Sequence, residues 1–237
     1  MVVLQINFAE VNAMNSLRIW FKKVGRAKYI SHLDLMRSMT KAIKRSGLKV
    51  WYTEGFNPHA YITFPLPLSL GIESESECVD IRVEDGVTPW EVKEKLFDQM
   101  PEGLDLVSVE EPFLNAKEIR YGRYVVTLDF ENENQAEEFA SLSQKLVDEK
   151  SLVCEKKGKK GHKKVMKEVP LGEHIFNFKA EAKENVLVIN VDLSAGNPVN
   201  ISPNLFIGAI EKESSILPLY KKFEKKCLLT ENFEIFR

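Results

Sequence analysis

The first half of the chain switches between strand-like and helix-like spacing of its apolar residues. Leu17–Val24 mixes apolar and basic residues in rough alternation, which predicts a strand, a turn at Gly25-Arg26 and a short extended piece at 28–30. Ser31, followed three residues later by an acid, predicts the N-cap of a helix that runs to about Ser46 and stops before a glycine. One face of this helix is apolar and carries Leu35, Met36, Met39, Ala42 and Ile43.

Five further elements follow before residue 111. Short strands are predicted at 48–53 and 61–64, and 78–83 alternates cleanly as a third. Thr88-Pro89 opens a second helix that ends near Met100, and 104–109 forms a closing strand. The order β-α-β-β-α-β, with an irregular insertion around 58–71, predicts a ferredoxin-like sandwich.

The same order recurs in the second half, after a linker predicted at 115–122. The predicted elements are a strand at 124–130, a helix at 133–150, strands at 152–155 and 165–169 around a basic loop, a hairpin whose second arm is 185–193, a helix from Ser202-Pro203 to about Lys212, and a last strand within 217–228. The sequence therefore predicts an α+β protein with two tandem ferredoxin-like units, at 15–114 and 123–237, after a disordered extension at 1–14.

Composition narrows the class of protein. No apolar run reaches the length of a membrane helix, and the first residues lack the basic start of a signal peptide, so we expect a cytoplasmic protein. The cysteines at 78, 154 and 227 are far apart, and the four histidines show no metal-ligand spacing. We therefore expect no zinc ribbon, iron–sulfur cluster, disulfide framework or other cofactor.

Charge is distributed unevenly, although the net charge is only −2. Residues 18–53 contain ten Lys/Arg and one acid, whereas residues 54–111 contain fourteen acids and three Lys/Arg. Such a basic excess favours a phosphate-backbone partner, while a merely solvated helix face is the alternative. The candidate nucleic-acid-binding residues are Lys22, Lys23, Arg26, Lys28, Arg37, Lys41, Lys44 and Arg45, together with Lys159 and Lys160 of a basic loop at 156–164. The alternative interpretation of this loop is an ordinary hairpin tip.

Two histidines are candidates for a pocket beside the basic helix. His32 falls in the first turn of the helix, where free backbone N–H groups favour an anion. His59 follows the turn-forming Asn57-Pro58 and has aromatic neighbours on which bases could stack. Either histidine could instead be an ordinary surface or turn residue. The candidate pocket is formed by His32, Asp34, Phe56, Asn57, His59 and Glu73.

Two stretches carry a family resemblance. The run GRAKYISHLDLMR continued by GFNPHAYITFPLPLSLGIES, together with LSAGN and VNISP near the C-terminus, resembles the bacterial radical-SAM-linked family, whose domain has no known function. The resemblance implies a role beside a B12-binding radical-SAM protein in RNA modification. Because the chain lacks the three-cysteine cluster motif, the resemblance implies that a partner supplies any radical chemistry. A weaker similarity, at the level of fold, links the chain to CRISPR repeat-processing endoribonucleases.

Three hypotheses follow. The first is a non-catalytic RNA-binding module, with tRNA as the expected RNA, that serves a radical-SAM partner. The second is a protein adaptor that docks this partner through the acidic stretch 54–111. The third is a metal-independent endoribonuclease or phosphoesterase that uses His32 and His59, although no complete catalytic constellation is visible in the sequence.

Overall fold

The computed structural model describes residues 16–54, 56–160 and 163–237, and it describes 155–160 and 163–167 by their backbone alone. The extension predicted at 1–14 lies outside these residues. Internal contacts divide the chain into two units. The first comprises the chain up to Leu70, Glu77–Leu114 and Arg237, and the second comprises Gly71–Ser76 and 115–236.

The first unit has ferredoxin-like topology. Its elements are β1 (Ser16–Lys23), α1 (His32–Arg45), β2 (Ile62–Thr63), β3 (Glu73–Arg82), α2 (Pro89–Phe97) and β4 (Leu104–Glu110), and its strands follow the order β4-β1-β3-β2. Apolar residues of α1 and α2, among them Leu35, Met39 and Val92, pack against Ile19 and Val79 of the strands. This burial of one helical stripe and one sheet face forms the core of the unit.

The second unit repeats the topology around an inserted hairpin. Its elements are β5 (Tyr121–Asp129), α3 (Glu133–Asp148), β6 (Val153–Lys160), β7 (Lys163–Pro170), β8 (Ile175–Lys183), β9 (Val186–Ser194), α4 (Pro203–Ser214) and β10 (Tyr220–Leu229). Its sheet follows the order β10-β5-β9-β8, which matches β4-β1-β3-β2, while β6 and β7 pair only with each other. The predicted fold of two tandem ferredoxin-like units is confirmed.

Helix caps explain why the helices begin where they do. The Ser31 hydroxyl accepts a hydrogen bond from the backbone N–H of Asp34, as predicted for α1. Thr88 does the same for Glu91 in α2. In α4 the cap is Ser202, and a proline occupies the first turn. These side chains satisfy N–H groups that have no partner within the helix.

An arginine–aspartate fork occurs at the same place in both units. In the first, Nε and Nη2 of Arg18 donate to the two carboxylate oxygens of Asp80 at 2.7 and 2.9 Å. In the second, Arg123 binds Asp192 in the same way at 2.8 and 2.9 Å. Each arginine is the third residue of its unit's first strand, and each aspartate is the third residue from the end of the third. The fork is therefore a residue-level trace of the repeated fold.

Several local predictions are wrong. Residues 28–30, predicted as extended, largely belong to the 3₁₀ helix Gly25–Tyr29, which packs against the turn before β4. The strand predicted at 48–53 is reduced to isolated bridges at Val50 and Tyr52. The predicted linker 115–122 contains the 3₁₀ helix Ala116–Glu118 and the start of β5, and Ile119 is buried. Two of these segments also bond to residues distant in sequence, Trp51 to Arg82 and Arg120 to Leu229, and local patterns do not encode such contacts.

The segment 156–164, which is predicted to be a basic loop, consists largely of strand residues. Its backbone extends into the paired arms of β6 and β7, with residues 161–162 outside the described part. Lys159 and Lys160 end β6, and the description of these two residues is limited to the backbone.

Candidate nucleic-acid interface

The outer face of α1 carries the basic stripe predicted from the sequence. Arg37, Lys41 and Lys44 are all exposed. Arg37 makes an exposed ion pair with Asp34 at 3.3 Å. Arg45 is exposed as well, but its guanidinium donates to the side-chain oxygen and the backbone carbonyl of Gln99. Three of the four stripe residues are thus available to an anion, and the fourth also joins α1 to the end of α2.

The basic residues before α1 divide into two groups. Lys22 and Arg26 are exposed, and Lys28 is partly exposed, with its ammonium 5.3 Å from the ring centre of Tyr29. Lys23 is only 1% exposed, and its Nζ donates to the carbonyl of Ile30 at 3.3 Å. The prediction that Lys23 belongs to a nucleic-acid-binding surface is wrong, because this ammonium is buried within the unit.

His32 lies in the first turn of α1 and is partly buried. Its ring packs edge-on against Phe64, with ring centres 5.2 Å apart. Its Nδ1 atom is buried and has no hydrogen-bond partner among the described residues. Asp34, in the same turn, accepts a hydrogen bond from the Ser31 hydroxyl at 2.7 Å, which lowers the pKa of this exposed carboxyl.

His59 has a different environment, in an exposed hairpin. Its Nδ1 lies 3.1 Å from both the Thr53 hydroxyl and the backbone carbonyl of Asn57. Within the described residues, no hydrogen bond or ring contact joins His59 to His32. The two imidazoles are thus held by separate contacts, His59 by groups of its own hairpin and His32 by Phe64.

The remaining pocket candidates are divided between the hairpin of His59 and the start of β3. Phe56 and Asn57 are exposed on that hairpin, and the backbone carbonyl of Asn57 contacts His59. Glu73 begins β3, belongs to the second unit, pairs there with β10 and lies 3.8 Å from the ammonium of Lys222.

Sequence reasoning recognised the aromatic neighbours of His59 but missed that Trp51 and Arg82 form a cluster with Tyr61 beside β2. Trp51 and Tyr61 make an edge-to-face contact with ring centres 5.8 Å apart. The guanidinium carbon of Arg82 lies 4.3 Å from the ring centre of Tyr61 and 5.4 Å from that of Trp51. The one signal in the sequence is that a tryptophan and a tyrosine occupy polar-facing positions of short strands.

A second exposed aromatic pair lies on α2. Trp90 and Phe97 line an open groove of about 620 Å³ together with Lys93, Glu94 and Lys95. Both rings are mostly exposed. An apolar surface of this kind is characteristic of contact sites.

No group of three or more His, Cys, Asp or Glu side chains suited to a metal ion occurs within residues 16–54, 56–160 and 163–237. No helix of the described chain is both long and apolar enough to cross a membrane.

A family model of proteins described as uncharacterized and conserved in bacteria, DUF2344, matches residues 16–203. The chain belongs to the DUF2344 family. The matched segment includes the basic stripe of α1, both candidate histidines and the aromatic pair on α2. No curated protein matches this DUF2344 chain.

Solved structures show only remote similarity. A Cbf5-Nop10-Gar1 complex is similar at 9% identity and a TM-score of 0.49, over 92% of this chain and 50% of that one. A heavy metal efflux pump is similar at 9% identity and a TM-score of 0.25, over 90% of this chain and 28% of that one. The DUF2344 chain thus spans half or less of the length of these solved chains.

Proposed function

We propose that this protein is a non-catalytic RNA-binding accessory protein of the cytoplasm, with tRNA as its RNA, that works beside a radical-SAM enzyme. The observation that carries the proposal is the exposed basic face of α1. Arg37, Lys41 and Lys44 are exposed there, and Asp34 is the only acid within residues 18–53. Neither Lys41 nor Lys44 makes an ion pair with a described residue.

This charge pattern favours an anionic partner over a solvated face. A solvated helix face usually mixes charges of both signs, which stabilise one another along the helix. Along α1 the only acid is engaged at the N-terminus by Ser31 and Arg37. Cations that have no nearby acid repel one another, and a phosphate backbone would relieve this repulsion.

The adaptor hypothesis has an exposed apolar surface on α2 in its favour, but some of the acids on which it relied are already paired with cations. Of the acids that would dock a basic partner, Asp80 is paired with Arg18 and Glu91 with Lys95. The exposed rings of Trp90 and Phe97 are a better contact for the radical-SAM partner, which the family resemblance suggests. RNA binding by α1 and partner docking by α2 are compatible.

The enzymatic hypothesis has less support. His59 is held by neighbouring hairpin groups, and His32 packs against Phe64, so neither imidazole orients the other. We rank a histidine-dependent endoribonuclease or phosphoesterase last.

A mobility-shift titration with total tRNA at about 50 and 200 mM salt tests the proposal. The test variant changes Arg37, Lys41 and Lys44 to Gln, and omits Arg45 because of its bonds to Gln99. The matched control changes the exposed Lys117, Lys145 and Lys183 of the second unit to Gln, which removes the same charge. We expect the control to bind like wild type. In the α1 variant, we expect the slope of log Kd against log salt concentration to fall by about two to three, because each lost phosphate contact removes nearly one unit of slope.

Equal weakening in both variants would show that only net charge matters, and would contradict the assignment to α1. No shift by wild-type protein at the lower salt concentration would overturn RNA binding and favour the adaptor.

A further inference from the structure

An exposed aromatic hairpin follows α1. We define it as residues 50–61; it carries four aromatic rings, those of Trp51, Tyr52, Phe56 and Tyr61, and a single acid, Glu54. All four rings are exposed. An apolar surface of this density is uncommon on a protein that has no ligand for it.

Backbone hydrogen bonds fix the two arms of the hairpin to the end of β3. The N–H of Trp51 donates to the carbonyl of Arg82 at 3.0 Å, and the N–H of Tyr61 donates to the carbonyl of Trp51 at 3.0 Å. The N–H of Arg82 completes the set by donating to the carbonyl of Tyr61 at 3.3 Å. The three side chains are therefore held on neighbouring extended segments and not on a free loop.

Alternation separates these side chains from the core. Val50 is buried and Ile62 packs against the core cluster, so the residues next to them, Trp51 and Tyr61, point to the opposite face. Trp51 is 39% exposed and Tyr61 37% exposed. The core does not need these rings, and edge strands more often carry charged residues at such positions.

The chemistry of the cluster suits a nucleobase. Arg82 lies over both rings, so aromatic faces and a delocalised cation occupy one small surface. Bases stack on tryptophan, tyrosine and arginine planes whatever their sequence, because every base has a π-face. A duplex hides those faces, whereas an unpaired segment presents them.

We infer that Trp51, Tyr61 and Arg82 form a stacking site for an unpaired base of single-stranded RNA. The inference rests on the proposed function and narrows its substrate: α1 binds phosphates, and the aromatic hairpin selects RNA with unstacked bases. Phe56, fully exposed at the tip, provides a further ring for an adjacent base.

The test measures binding of a single-stranded RNA hexamer that carries 2-aminopurine, whose fluorescence falls when it stacks. A duplex of the same sequence and an abasic hexamer of equal charge serve as comparison ligands. The test variant changes Trp51 and Tyr61 to Leu, which keeps apolar bulk without a ring, and a second variant changes both to Phe. Phe113→Leu is the matched control, because Phe113 is an exposed aromatic residue of the same unit.

We expect the leucine variant to bind the hexamer at least fivefold more weakly for each lost stacking contact and to lose the quenching of 2-aminopurine. Its affinity for the abasic hexamer should equal that of the wild type. The phenylalanine variant should keep most of both signals, and the Phe113 control should match wild type. Wild-type-like affinity and quenching in the leucine variant would overturn the stacking site while leaving RNA binding intact. Failure of wild-type protein to bind any of the three ligands at low salt would overturn the stacking site and the proposed function together.

Discussion

At the scale of single residues, burial decides what the repeated arginine–aspartate fork contributes. In the first unit the arginine is the buried partner, with Arg18 1% and Asp80 23% exposed. In the second unit the order is reversed, with Arg123 43% and Asp192 2% exposed. A charge removed from water needs its counterion much more than an exposed charge does. The two forks thus have the same geometry, but the buried partner that needs its counterion is the arginine in the first unit and the aspartate in the second.

Replacing Arg123 by Met should destabilise the protein by about 2–4 kcal/mol, because the buried carboxylate of Asp192 then keeps, among the described residues, only the amide of Asn177 as a side-chain donor. Urea unfolding followed by circular dichroism measures this change. Lys179→Met is the control: it removes a cation from an exposed pair with Glu181 and should leave the free energy of unfolding almost unchanged. Equal effects of the two substitutions would contradict the argument from burial.

Lys23 shows what a sequence cannot reveal at this scale. It lies in a run of basic residues, and by charge alone it is indistinguishable from the exposed Lys22. Its burial depends on the carbonyl of Ile30, which the 3₁₀ turn after β1 brings within reach. The candidate site is thus predictable where exposure follows from helical spacing, as at Lys41 and Lys44, and unpredictable where a turn buries one member of a basic run.

At the scale of elements, the helices were predicted well and the strands less so. Helix α1 follows from its cap and its apolar stripe, both of which are local. Strand β3 begins five residues earlier than predicted, because its first residues pair with β10. Ser74 and Glu77, in this part of the acidic stretch 54–111, are buried, so the stretch is not a continuous solvated surface. The aromatic hairpin was likewise only partly recognised, since its face is set by pairing with distant Arg82.

Gly103 holds the turn before β4 against the 3₁₀ helix. It has a φ of +78°, and an added Cβ would lie 2.6 Å from the carbonyl oxygen of Val24 and 2.9 Å from the Cβ of Ala27. Gly86→Ala offers a matched control, since Gly86 has a φ of +85° and open space around it.

We expect Gly86→Ala to destabilise the protein by about 1 kcal/mol from backbone strain alone. Gly103→Ala should cost about 1–3 kcal/mol more, because the turn must also move away from the 3₁₀ helix. The difference between their thermal midpoints measures the clash. A Gly103 variant as stable as the Gly86 variant would show that the two segments separate at little cost.

At the scale of the whole molecule, the fold class could be predicted because the order of strands and helices along the chain could be predicted. Two β-α-β-β-α-β patterns specify two units even when individual boundaries are wrong. Chain order alone did not show that Gly71–Ser76, from the first half of the sequence, belongs to the second unit. This segment contributes the parallel pairing of Glu73 and Ser74 with β10 and the 2.7 Å ion pair of Glu75 with Lys226.

A fragment of residues 115–237 should therefore fold incompletely as an isolated second unit. Without Gly71–Ser76, β10 becomes an edge strand whose N–H and C=O groups lie open for pairing with another copy. We expect the fragment to self-associate in sedimentation velocity. A version that carries residues 71–76 ahead of residue 115 through a flexible glycine–serine linker should remain monomeric, because the same six residues again cover β10. A monomeric fragment of unchanged stability without the segment would mean that β10 needs no partner on that side, and that the second unit is complete from residue 115.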